Sequence, residues 1–276
     1  MQIRYAVSKN EYPRMTTREL RAACHVEALF QTGQINLLYW ETDRAVIGAA
    51  APGDIPLPLP AERELASEYF CERRELGVLN LGAAGRVGVD GADHDLAPLE
   101  CLYIGRGSRE IVFSNAESGK AARFYLVSYP AHTAYPATRA THADASRLRL
   151  GTPEEANQRT LYQYIHEGGI KSCQLVMGYT QLETGSVWNT MPAHTHLRRS
   201  EVYLYFNVEE NAAVVHLMGA GDETRHLLMH SEEAVLSPAW SIHSGCGTRA
   251  YSFVWAMGGE NQRFADMDGI PVRDLR

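Results

Sequence analysis

Met191-Pro-Ala-His-Thr-His-Leu-Arg-Arg-Ser-Glu201 decides how this chain is read. His194 and His196 are two residues apart, so on an extended strand both imidazoles leave the same face. Glu201 is five beyond His196, an odd offset that points away on a straight strand. A turn through Arg198, Arg199 and Ser200, with a new strand starting at Glu201, returns its carboxylate to the histidines. A further histidine, His243, follows Pro238-Ala239-Trp240-Ser241-Ile242. Three neutral imidazoles and one carboxylate on the inside of a β structure make a site for a hard-to-borderline divalent metal with open positions. A His-x-His pair by itself is more often incidental. The joint spacing of His194, His196, Glu201 and His243 is what turns it into a metal-ligand set.

Outward from that segment, strand signals dominate. Short runs predicted at 34–41, 44–50, 75–81, 85–89, 100–104 and 110–114 alternate with turn residues. The second half repeats the habit at 173–182, 201–208, 212–218, 224–230, 234–236 and 249–257. Many short strands punctuated by Gly, Pro, Asn and Asp indicate a sandwich or barrel rather than a parallel sheet. One helix is predicted near the start, capped by Thr16 or Thr17 and continuing through Glu19, Leu20, Ala23, Cys24 and Ala28 toward Phe30. Residues 128–144 carry Pro130, Pro136 and two histidines with little periodicity, and read as a linker. The expectation is a mainly β chain with a short N-terminal helix in two domains, 1–140 and 141–276.

A weak internal repeat supports two copies of one β unit. Glu72-Arg73-Arg74 before one strand aligns with Leu197-Arg198-Arg199 before another. Leu102-Tyr103-Ile104-Gly105 aligns with Val235-Leu236-Ser237-Pro238, and an inserted loop explains the growth in offset. Carried back along this repeat, His194, His196, Glu201 and His243 fall on Tyr69, Cys71, Leu76 and Glu110. The first half is therefore expected to be free of metal.

Composition sets the outer bounds. Apolar residues make up 45% of 276 and charged residues 21%, a globular mixture that excludes a disordered chain, a collagen or a coiled coil. Twenty-six Lys and Arg against 33 Asp and Glu give a net charge of −7. That balance exerts no global pull on nucleic acid or anionic lipid, so neither is an expected partner. No apolar run approaches the roughly 20 residues of a membrane span, and the first residues lack a signal-peptide pattern. Five widely spaced cysteines with no CxxC pair suit free thiols in a reducing cytoplasm.

Longer blocks carry a resemblance. HxH, four residues, Glu and a later PxxxxH look like the two metal motifs of the cupin superfamily, with Trp240 where that pattern usually has glycine. ERRELGVLNLG (72–82), PAHTAYPATRAT (130–141), WNTMPAHTHLRRSEVYLYFN (188–207), ETRHLLMH (223–230), SPAWSIHSG (237–245) and GENQRFADMDGIPVRDLR (259–276) together resemble the 5-keto-4-deoxyuronate isomerase family, essentially end to end. The resemblance implies two tandem cupin-type β-barrels assembled as a homohexamer. It also implies one Zn2+ per chain on His194, His196, Glu201 and His243. The implied reaction interconverts 5-dehydro-4-deoxy-D-glucuronate and 3-deoxy-D-glycero-2,5-hexodiulosonate in pectin and uronate breakdown.

Such an isomerisation removes a proton next to a carbonyl and passes through an enediolate, with metal-assisted hydride transfer as the rival route. Glu201 is a catalytic candidate, and the period of two places Tyr203 and Tyr205 on its face as relays or as filling. Arg198, Arg199 and Arg225 are candidates for the substrate's carboxylate, set against an ordinary surface or interface role. Asn189 and Thr190 read as turn residues within reach of substrate, and His226 and His230 as surface histidines. Cys173 and Cys246 have no evident base, and Gly82, Gly85 and Gly88 lack the βαβ context of a nucleotide fingerprint. A cupin oxygenase using Fe(II) and a non-catalytic sugar-binding cupin are the alternatives.

Overall fold

A computed structural model describes all of residues 1–276. The chain forms two compact units that interleave along the sequence. The first consists of Met1–Arg4, Leu29–Ala145 and Tyr164–Val176; the second of Tyr5–Ala28, Ser146–Gln163 and Met177–Arg276.

In the first unit, a seven-stranded sheet runs in the order β1 (Gln2–Arg4), β3 (Gln34–Trp40), β4 (Ala45–Ala51), β11 (Phe124–Pro130), β6 (Arg74–Asn80), β9 (Cys101–Ile104) and β12 (Thr138–Ala140). A four-stranded sheet runs β5 (Leu57–Pro58), β10 (Ile111–Asn115), β7 (Gly85–Val89) and β8 (Ala92–Leu96). The central strands of the larger sheet are buried on both faces, which is why β4 reads AVIGAAA with no alternation. The smaller sheet covers its partner with one face only, so β7 alternates Val87 and Val89 inward with Arg86 outward. Val46, Leu76, Val78, Leu126, Val87 and Phe113 belong to one apolar core drawn from both sheets.

The second unit repeats the order. Its larger sheet is β13 (Ser146–Leu150), β14 (Arg159–Ile165), β15 (Val176–Leu182), β23 (Ser252–Gly259), β18 (Arg199–Phe206), β21 (Ala234–Ser237) and β2 (His25–Val26). Its smaller sheet is β16 (Trp188–Asn189), β22 (Ile242–Gly247), β19 (Val214–Ala220) and β20 (Glu223–Met229). A two-stranded ribbon of β17 (His194–Thr195) and β24 (Asp268–Gly269) completes it. The repeat seen in the sequence holds in register: Leu76 pairs with Ile104 in the first unit, and Glu201 with Ser237 in the second. All of these sheets are open in their hydrogen bonding.

The helix α1 spans Thr17–Cys24, with Thr16 and Glu19 forming a reciprocal capping box. It stops well short of Phe30 because His25-Val26 is taken up as the edge strand β2. Residues 128–144 differ from a linker: they finish β11 and supply β12, which pairs with β9. Proline and histidine content obscured an edge strand of three residues. No helix is long and apolar enough to cross a membrane.

Candidate metal centre

The four predicted ligands come from three places in the second unit. β17 is held by β24, which pairs His194 with Gly269 and Thr195 with Asp268. After His196 the chain turns, with the Arg199 amide donating to the His196 carbonyl at 3.1 Å. That turn starts β18 and swings Glu201 inward, as the odd spacing required. His243 lies on β22 opposite Met218 of β19. The preceding turn closes through the Ser241 amide on the Pro238 carbonyl (2.8 Å). Trp240 is accommodated by packing on Tyr12, with ring centroids 5.1 Å apart, and by donating its indole N–H to the Val7 carbonyl.

The side chains converge. His243 Nε2 is 3.1 Å from His194 Nε2 and 2.9 Å from a Glu201 oxygen, and His196 Nδ1 is 3.6 Å from the same carboxylate. The three imidazole centroids are each 4.7 Å from the others. One ligand atom from each of the four residues lies within 4.8 Å of every other. Burial pulls the His194 imidazole down to about 2, with further lowering from His243 and Arg199. His196 is lowered too, first by burial and then by His243, His194, Arg199 and Arg198. Both rings are therefore neutral and offer lone pairs rather than protons. His243 Nδ1 faces the Ser241 carbonyl at 3.4 Å, which favours the tautomer whose Nε2 accepts. Three imidazoles and one carboxylate whose ligand atoms all lie within 4.8 Å of one another fit a divalent cation.

A cavity of about 210 Å³ opens beside these ligands. Tyr203, Phe253, Trp255 and Met257 form much of its wall, because β18 and β23 set Glu201 opposite Met257 and Tyr203 opposite Trp255. Tyr203 reaches the cavity and its hydroxyl meets Thr190 Oγ1 at 3.0 Å. Burial, with the Glu201 carboxylate nearby, raises its pKa well above the ordinary tyrosine value and keeps the hydroxyl protonated. Tyr205 does not line the cavity; its hydroxyl contacts His216 Nδ1 at 2.7 Å deeper in the unit. Asn189 is likewise buried, donating to the Tyr251 hydroxyl.

The predicted arginines are engaged elsewhere. Arg198 pairs with Asp266 (2.6 Å) and Asp268 (2.9 Å). Arg199 is buried and donates to the Arg263 and Asp266 carbonyls at 2.6 and 2.9 Å. Arg225 donates to the Met15 carbonyl at 3.0 Å. None of the three lines the cavity, where the one cationic side chain is Arg159 of β14. Its spacing from the HxH motif carries no signal that a sequence reading could have used. His226 and His230 are exposed, and all five cysteines are free. In the first unit Cys71 and Leu76 lie in the apolar core, and no group of metal-capable side chains forms there.

Two facing sheets that aim three histidines and a glutamate into a shared cavity define a cupin-like scaffold with a candidate metal site. Solved structures place the fold in the same company. An IolB-like protein from Salmonella typhimurium is similar with a TM-score of 0.70 at 13% identity, over 90% of this chain and 96% of that one. Oxalate decarboxylase of Bacillus subtilis is similar with a TM-score of 0.56 at 10% identity, over 80% and 70%. Residues 25–269 match the KduI/IolB family, and the chain belongs to it. Relatives from Kineococcus radiotolerans and Bacillus pumilus are each 53% identical over the whole of both chains, and each is named 4-deoxy-L-threo-5-hexosulose-uronate ketol-isomerase.

Proposed function

We propose that this protein is a ketol-isomerase that interconverts 5-dehydro-4-deoxy-D-glucuronate and 3-deoxy-D-glycero-2,5-hexodiulosonate in uronate breakdown. What carries the reading is the full-length 53% identity to relatives so named, in a chain whose histidines and glutamate converge beside a cavity. His194, His196, Glu201 and His243 would hold one Zn2+ per chain. When bound, the ion supplies a Lewis acid that polarises the reacting carbonyl and stabilises negative charge on oxygen.

The chain's own residues do the rest. Glu201 and Tyr203 are assigned to the reacting carbons, where a proton leaves C2 and returns to C1 through an enediolate while the O2 hydroxyl proton passes to O1. Tyr203 offers a protonated hydroxyl to the substrate oxygen. Tyr205 acts behind it, through His216, as a positioning residue. Phe253, Trp255, Phe264 and Met267 exclude water from the cavity. The two units are read as tandem cupin-type barrels, 1–140 and 141–276 in outline, with the first serving packing and assembly; their matching strand orders support this. Family resemblance supports a homohexamer, and five free cysteines support a cytoplasmic site.

The test is turnover of 5-dehydro-4-deoxy-D-glucuronate by purified protein, with metal content measured on the same sample. Isomer formed with one zinc per chain, and lost in His243→Ala and after chelation, is the expected result. Bound metal with oxygen uptake instead of isomer formation would replace this reading with an oxygenase.

A further inference from the structure

We propose that Arg159 is the anchor for the substrate's carboxylate in the metal cavity, and that it sets which end of the sugar faces the ligands. The inference rests on the uronate reading above. Arg159 is the one cation among the residues lining the cavity, and Glu201 is the one carboxylate. Its one side-chain hydrogen bond runs from Nη1 to the Asn157 carbonyl at 2.8 Å, and no carboxylate stands within ion-pair distance of it. Arg198 is paired with aspartates, and Arg199 is committed to backbone carbonyls. Arg159 thus carries a half-buried charge with no ion-paired carboxylate, the exposed Glu155 acting on it only from farther off, and it shares the wall with the apolar Leu150, Leu161, Phe253 and Trp255.

A carboxylate entering so apolar a cavity is costly to desolvate unless a fixed cation receives it. The planar guanidinium fork is the group that receives it with two parallel hydrogen bonds. In the open-chain uronate the carboxylate is C6 and the reacting carbons are C1 and C2, at the far end of the molecule. Seating C6 on Arg159 therefore directs the aldehyde end toward His194, His196, Glu201 and His243. Arg159 also lines a second, polar cavity with Arg149, Gln158 and Glu183, so it stands where the metal cavity meets that polar space.

The experiment compares wild type, Arg159→Gln and Arg159→Lys, each as the full metal-loaded chain with metal content and melting temperature checked. The substrates are the uronate and its methyl ester. For Arg159→Gln, kcat/KM on the acid is expected to fall roughly 10- to 100-fold, mostly through KM, while the ester changes by less than about threefold. Arg159→Lys keeps the charge but loses the fork, and is expected to fall between the two. An unchanged acid-to-ester preference in Arg159→Gln, or an equal loss on both substrates with metal retained, overturns the proposal. Titration of D-glucuronate into wild type and Arg159→Gln gives a readout independent of turnover. Weaker binding to the variant supports the anchor and equal binding overturns it, even where wild type proves not to isomerise and the functional reading itself has failed.

Discussion

β6 of the first unit and β18 of the second hold the same place in sheets of the same strand order, yet their inward residues are opposites in chemistry. Both strands begin on a buried arginine: Arg74 bonds Ser128 and the Arg44 carbonyl, and Arg199 bonds the Arg263 and Asp266 carbonyls. Two residues on, Leu76 enters an apolar core where Glu201 enters a cluster of histidines. Further along, Val78 occupies the position equivalent to Tyr203. The smaller sheets differ in kind as well, with Val87 in the core of the first unit and His216 buried in the second. The frame therefore does not require polar inner residues. The second unit carries buried groups such as His216 Nε2 and Asn189 Oδ1 without partners in the chain, a cost that the first unit avoids at these positions.

The comparison can be broken most severely at Glu201. Glu201→Leu installs the first unit's residue, and turnover is expected to fall by about 10³-fold or more with loss of bound metal. The chain should remain folded, since Leu76 shows that the frame accepts leucine there. Activity, metal analysis and circular dichroism on one preparation check all three. The reverse exchange, Leu76→Glu, buries a carboxylate among Val78, Leu102 and Phe113 without a partner. It is expected to cost about 3–5 kcal/mol in denaturant unfolding and to gain no metal, because Tyr69 and Cys71 do not replace His194 and His196.

A smaller effect sharpens the contrast between the smaller sheets. Burial, with His243 and His25 adding to it, pulls the His216 imidazole down to about 3. Above the unfolded value of about 6.5 neither state binds its proton, and stability is complete. As pH falls from there toward 3 the unfolded chain alone takes the proton, so stability is lost by up to about 1.4 kcal/mol per pH unit. His216→Val should flatten the stability profile of the metal-free protein between pH 4 and 6 by about one proton's slope. Urea unfolding across that range measures it, and parallel profiles would refute it.

Much of this was legible in residue order. The alternation of short strands gave the β class, Thr16 and Glu19 gave the start of α1, and the repeat of Arg74 with Arg199 gave the equivalence of β6 and β18. The end of α1 was not legible, because His25-Val26 gains more from pairing with β21 than from one more helical turn. The edge strand β12 was hidden in a segment rich in proline and histidine for a similar reason: β9 supplies its hydrogen bonds.

The candidate site divides along the same line. Spacing, together with its resemblance to the cupin metal motifs, picked out His194, His196, Glu201 and His243, because metal ligation is tied to residue type and to strand period, both of which a sequence displays. The fate of the arginines was a tertiary matter. Arg198 and Arg199 adjoin the ligands in sequence, but Asp266 and Asp268 and the carbonyls of Arg263 and Asp266, brought back by the C-terminal segment, absorb their charges. Arg159 lies 35 residues before His194 and enters the cavity because β14 runs in the same sheet as β18 and β23. Which residues can ligate is a property of side chains and their spacing; which cation is left free to meet a substrate depends on every partner that folding brings within reach.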